Sequence, residues 1–175
     1  AHHARLIFLK STIMKFVDLG LLPALTKAVL ETGYETPTAI QAQAIPLVMQ
    51  GADLLAGAQT GTGKTAAFAL PMLHRLANGP SVTNRFGRPG VRALVLTPTR
   101  ELAAQVEESI NSYKKYLQLS SIAIFGGVGM NPQIDRLRRG VDIVVATPGR
   151  LLDLVQQKAI DLSTIQVLIL DEADR

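Results

Sequence analysis

The sequence has no cysteine and only three histidines in 175 residues. Disulfides and thiolate metal sites are therefore excluded, and a histidine metal cluster has too few ligands. The lack of cysteine also fits a reducing, cytoplasmic location. No apolar run approaches the ~18 residues that a membrane-spanning helix needs. No secretory leader pattern is visible, and there is no internal repeat. Hydrophobic residues make up 47% and charged residues 18%, a globular composition rather than a disordered one. The length suits one domain with its own core. A net charge of +4 and a pI of about 9.6 are compatible with polyanionic partners. The basic excess lies in the first half, and the second half is balanced, with a local cluster at Arg136, Arg138 and Arg139 that reads as a solvated helix face. Residues 1–13, AHHARLIFLKSTI, read as a tag remnant or linker and are set aside from the fold.

What is present alternates. Short apolar, β-branched runs lie at 54–56, 91–98, 121–125, 142–146 and 167–170. Between them come helix-like segments at 64–76, 100–116, 132–139 and 151–157, with two more helices before the first strand at 21–32 and 38–50. Pro23 marks the start of the first of these, and Thr38 suits the cap of the second. Residues 78–90, NGPSVTNRFGRPG, read as a surface loop. This alternation predicts an α/β fold with a mainly parallel sheet and helices on both faces. Ligands of such sheets bind at the carboxyl ends of the strands. Each unusual stretch follows a strand: after Leu55, Leu96, Phe125, Ala146 and Leu170.

The first such stretch is AGAQTGTGKT, residues 56–65. A phosphate loop needs inward-pointing backbone N–H groups, glycines for the turn, and a helix N-terminus aimed at the anion. Ala58, Gln59, Thr60, Gly61, Thr62, Gly63, Lys64 and Thr65 supply this pattern. Lys64 would reach the β and γ phosphates, and the Thr65 hydroxyl would ligate Mg²⁺. Ala58 stands where the usual consensus has glycine. The bland alternative is a Gly-rich strand-to-helix turn with an incidental lysine. The last stretch is Asp171-Glu172-Ala173-Asp174, at the end of the apolar run Val167–Leu170. Acids there are costly unless paired or metal-bound. Asp171 would hold Mg²⁺ through its water shell, while Glu172 would orient and deprotonate an attacking water. For these acids alone, a helix N-terminus decorated with carboxylates is the alternative.

With AQTGTGKT and DEAD both present, the chain resembles the DEAD-box ATP-dependent RNA helicases from about Met14 to Arg175. The Ala58 replacement is the family's own form of the loop. The wording FGGVGMNPQIDRLRRGVDIVVATPGRLLD is most similar to the bacterial RhlE-type subgroup. The resemblance implies a RecA-like P-loop NTPase domain with ATP and Mg²⁺ as cofactors. It divides the chain into residues 14–50 as a Q-motif region and residues 51–175 as part of the first RecA-like domain. Gly33 to Gln41 looks like the Q motif, in which the Gln41 amide would read the adenine edge. Phe16 matches the upstream aromatic that stacks on the base. Taken singly, Gln41 reads as a surface helix residue and Phe16 as a core residue.

Three further stretches look like the family's RNA contacts: Pro98-Thr99-Arg100, Gly126-Gly127, and Thr147-Pro148-Gly149-Arg150. Each brings N–H groups, hydroxyls or an arginine near a helix start, where phosphate oxygens bind. Taken singly, each is an ordinary turn. Contacts of this kind imply sequence-tolerant, salt-sensitive RNA binding, and no row of stacking aromatics is visible. The family also has a Ser-Ala-Thr motif and a second RecA-like domain with arginine fingers, and neither is among these residues. The chain therefore reads as the truncated first domain of a helicase, able to bind nucleotide but not to unwind RNA alone. The resemblance further implies a missing strand between the first and last strands, leaving a hole in the sheet or unpaired edges. Two other functions stay open: another P-loop ATPase such as a DNA translocase, and a nucleotide-gated RNA-binding module without catalysis.

Overall fold

The computed structural model describes residues 14–51, 55–56 and 62–171. Five strands, β1 (Leu55–Ala56), β2 (Ala93–Leu96), β3 (Ser121–Ile124), β4 (Ile143–Ala146) and β5 (Val167–Asp171), form one parallel sheet in the order β1-β5-β2-β4-β3. Six α-helices connect or precede them: α1 (Pro23–Glu31), α2 (Ala39–Met49), α3 (Thr62–Asn78), α4 (Arg100–Tyr113), α5 (Met130–Arg139) and α6 (Pro148–Gln156). Short 3₁₀ turns occupy Phe16–Leu19 and Leu162–Thr164. The α/β alternation expected from the sequence is present, with helix ends differing by a few residues.

Side-chain alternation along the strands sets the layers. Ala93, Val95, Ile143, Val145, Val167 and Ile169 point to one face and join the larger core with α1 to α4. Leu94, Val144, Ala146 and Ile124 point to the other and pack with Ile134 and Leu137 of α5 and Leu151 and Leu154 of α6. Each fully buried Leu, Ile or Val contributes about 1.5–3 kcal/mol, so a one-residue slip of any central strand would invert two cores at once. β5 is the exception on the second face, where Leu168 and Leu170 stay 49% and 41% exposed.

One expectation is corrected. Rather than leaving a gap, β1 pairs directly with β5, with Leu55 opposite Leu170 and Ala56 opposite Asp171. A strand edge carries unpaired N–H and C=O groups, and the adjacent parallel edge satisfies them.

Candidate nucleotide and RNA-contact site

All five strands run the same way, so the stretches that follow them collect along one edge of the sheet. Lateral hydrogen bonds tie these stretches together. The Thr97 N–H donates to the Ala146 carbonyl, and the Thr147 N–H donates to that of Ile124.

At the β1–β5 side, Lys64 in the first turn of α3 lies 2.7 Å from Oδ1 of Asp171 at the end of β5. The two side chains are 15% and 3% exposed. Oδ1 is buried without an aligned hydrogen bond, so the contact is an ion pair and not a directed N–H···O bond. The sequence pattern anticipated a lysine and a carboxylate from distant segments at one point, and the fold brings them there. Thr65 follows Lys64 in the same turn and is half-buried. Ala58, Gln59, Thr60, Gly61 and Glu172 lie outside the described residues, and of Thr62 only the backbone is described, as the start of α3. Among the described residues no group of three or more acids or histidines is gathered tightly enough to hold a metal ion by itself. One buried carboxylate whose Oδ1 has no aligned partner, against the first turn of the helix that carries Thr65, fits a hydrated divalent cation that also binds phosphates.

The Gln41 amide sits beside the same helix start. Thr38 caps α2: its Oγ1 accepts from the Gln41 N–H at 3.3 Å, while the Thr38 N–H donates to Gln41 Oε1 at 2.9 Å. The other end of the amide, Nε2, donates to the Gly63 carbonyl at 3.1 Å. An amide oxygen has two lone pairs and an amide nitrogen two protons, so among the described residues one acceptor and one donor remain unspent. Gln41 is 6% exposed, not the surface residue that its helix position alone suggests.

Phe16 lies in the core. Its ring is 1% exposed and belongs to the larger of the two clusters. Its backbone N–H does bond the Glu35 carbonyl at 3.0 Å, so the anticipated proximity to the Gly33–Gln41 segment is real.

The three stretches expected to contact RNA are contiguous and at least partly exposed. Thr99 caps α4, accepting from the Leu102 N–H at 3.2 Å. The Arg100 guanidinium lies against Gly127, where a Cβ would meet its Nη1 at 2.5 Å. Gly127 also has φ +83°, and this backbone conformation is what calls for glycine, since the exposed Arg100 side chain can move aside. Arg150 is less free than the sequence suggests. Its Nη1 donates to Gln133 Oε1 at 2.9 Å and its Nη2 to the Val128 carbonyl at 3.0 Å, with Asp153 4.0 Å away. Gln133 Nε2 in turn holds the Phe125 carbonyl at 3.2 Å. Arg150 and Gln133 thus brace the glycine turn from both sides.

Sequence reasoning missed Gln133, which is 7% exposed, and a second pair at the opposite edge. Arg92 and Asp142 each precede a strand, and their ion pair is 3.2 Å long and buried. Lone opposite charges immediately before two apolar runs were the available signal.

The DEAD/DEAH box helicase profile matches residues 38–175. The chain belongs to the DEAD/DEAH box helicase family. Its relatives in the family include the ATP-dependent RNA helicase DeaD of Mycobacterium tuberculosis, 48% identical over 160 residues, covering 91% of this chain and 27% of that protein. The RNA helicase CrhR of Synechocystis is 46% identical over 159 residues, covering 91% and 30%. The DEAD-box ATP-dependent RNA helicase RhpA of Helicobacter pylori is 42% identical over 159 residues, again covering 91% and 30%. The chain thus spans less than a third of the length of these helicases. Within the DEAD-box fold, the edge carrying Lys64, Asp171 and Arg150 is the one where strand-end ligands are expected.

Proposed function

We propose that this chain is the ATP-binding, RNA-contacting first domain of an ATP-dependent RNA helicase of the cytoplasm, made of a Q-motif region (residues 14–50) and a RecA-like part (residues 51–175). In the whole protein, ATP hydrolysis would be coupled to opening short RNA duplexes or remodelling RNA–protein assemblies. The observation that carries this reading is the 2.7 Å approach of Lys64 to Asp171, with Gln41 bonded to the same helix start.

In this reading, residues 58–65 wrap the phosphates, and Lys64 exchanges Asp171 for the β and γ phosphate oxygens. Gln41, its plane fixed by Thr38 and Gly63, offers its unspent donor and acceptor to adenine. Thr65 and Asp171 would hold Mg²⁺, which when bound supplies charge neutralisation on the phosphates. Glu172 orients and deprotonates the attacking water. Thr99, Arg100, Gly126, Gly127 and the Thr147–Arg150 turn face sugar-phosphate backbone, with Arg150 acting chiefly by bracing the glycine turn. Phe16, whose backbone is bonded to Glu35 of the Q-motif segment, is the aromatic that would stack on the base.

Calorimetric titration with Mg·ADP and Mg·GDP tests the reading. Binding of ADP without GDP is the expected outcome; binding of neither would sink it for this chain. Residues 1–175 by themselves should show no strand separation, since the arginine fingers of related NTPases contribute roughly 10³–10⁵ in rate.

A further inference from the structure

The loop between α3 and β2 lies at the sheet edge opposite the nucleotide, and it is built rather than loose. Asn84 Oδ1 accepts from the backbone N–H groups of Phe86 at 2.8 Å and Arg88 at 3.1 Å. The Asn84 N–H donates to the Arg88 carbonyl at 2.7 Å, and Thr83 bridges Pro89. This turn holds up Phe86, which is 50% exposed. Its inner side borders a small cavity shared with Leu137, Ala159 and Ile160. The Arg85 guanidinium sits 5.2 Å from the ring centroid and bonds the Lys158 carbonyl.

A second element delivers charge to the same place. Gly140, after the last turn of α5, approaches Pro89 so closely that a Cβ would meet the proline Cδ at 2.6 Å. The basic end of α5 is therefore seated against the loop, with Arg138 and Arg139 exposed. Arg88, Arg138, Arg139 and Lys158 are all exposed, and none has an ion pair among the described residues. Two acids stand nearby. Asp161 spends its carboxylate on the N–H and hydroxyl of Ser163, which hold it below the usual range, and Asp135 lies one turn back on α5.

A half-exposed aromatic ring on a hydrogen-bonded turn, with Arg85 beside it and the exposed Arg88, Arg138 and Arg139 on the same loop and the helix end packed against it, combines the two elements of single-strand recognition: an aromatic surface for a base and cations for its flanking phosphates. We propose that Phe86, with Arg85, Arg88, Arg138 and Arg139, forms an accessory binding site for single-stranded RNA, separate from the strand-end edge. The site stacks one base on Phe86 and is blind to sequence. It rests on its own residues and does not need the nucleotide reading.

The chain has no tryptophan, so Phe86→Trp places a sole indole fluorophore at the proposed contact. Titration with a short fluorescein-labelled oligouridylate at low salt, without nucleotide, reads anisotropy and indole emission together. Saturable quenching that tracks the anisotropy is expected. Phe86→Ala should weaken binding by about five-fold or more. Arg88→Glu with Arg139→Glu should flatten the salt dependence by about 0.7 log unit per lost phosphate contact. RNA binding with unchanged indole emission would overturn the proposal, as would no RNA binding at all. Quenching by polyglutamate as strong as by RNA would also overturn it, assigning the patch to an acidic protein segment.

Discussion

At the amino ends of β2 and β4, Arg92 donates to the carbonyls of Leu76 and Pro80 and to Asp142, whose second oxygen accepts from the N–H and hydroxyl of Ser120. Only Arg92 Nε lacks a partner. At the carboxyl ends of β1 and β5, by contrast, Lys64 and Asp171 meet at 2.7 Å, and Asp171 Oδ1 has no aligned hydrogen-bond partner among the described residues. The same charge chemistry is thus used twice in one sheet. The Arg92–Asp142 pair is closed by carbonyls and a hydroxyl, and its role is to lock three strands in register. The Lys64–Asp171 pair stands in the first turn of a helix at the strand ends, where a phosphate can take the place of the carboxylate. Position at the strand ends separates the two pairs better than burial does, because both are buried.

The sharpest way to break this contrast is to cut both pairs. Arg92→Leu leaves the Asp142 carboxylate buried without its cation, and chemical denaturation should show a loss of about 3–5 kcal/mol. Lys64→Ala strands the buried Asp171 in the same way, and should in addition abolish any calorimetric response to Mg·ADP, which the folded fraction of Arg92→Leu should keep. If the two variants lose ADP binding alike at equal folded fraction, the distinction fails. Gln133→Ala probes the brace between the edges' two styles. It removes a partner from the half-buried Arg150 and from the Phe125 carbonyl, and should cost about 1–3 kcal/mol. Amide exchange at Gly126, Gly127 and Val128 should speed up with it. Thr38→Ala deletes one cap and should cost about 1 kcal/mol. Because the cap orients Gln41, its effect on ADP affinity should exceed its effect on GDP affinity, and equal effects would separate the cap from base recognition.

The smallest effect is a pH dependence. Burial holds the His74 pKa below its ordinary 6.5, and its Nδ1 accepts from the Leu22 N–H at 3.2 Å. Above pH 6.5 the imidazole is neutral in both folded and unfolded chains and adds no slope. As pH falls below that value the unfolded chain takes up the proton first, so stability declines, by at most about 1.4 kcal/mol per pH unit from one group. Thermal melts of the protein and of His74→Gln between pH 7 and 5 would show it as a shallower decline in the variant.

Much of this was legible in the linear sequence. Strand and helix positions follow from apolar runs punctuated by glycine and proline, which are local signals. The meeting of Lys64 with Asp171 and of three turns along one edge follows from parallel topology, which the alternation already implies. What escaped is set by non-local choices. How deeply Phe16 is buried depends on which core closes over it. The pairing of β1 with β5 depends on which edge is left for it. Gln133 is one amide among many polar helix residues until Arg150 arrives from another helix. The loop at 78–90 read only as a surface loop because its order rests largely on one side chain, Asn84, bonding its own backbone.

The β1–β5 pairing has a kinetic consequence. Leu55 and its partner Leu170 are 115 positions apart in the chain, so β1 gains its partner only after nearly everything between has been threaded and collapsed. Closing so long a loop is slow, and contacts of such high sequence separation form late. During synthesis from the N-terminus, Lys64 emerges long before Asp171 exists. The helix bearing the lysine is made first, and the carboxylate arrives later to a surface already partly shaped to receive it.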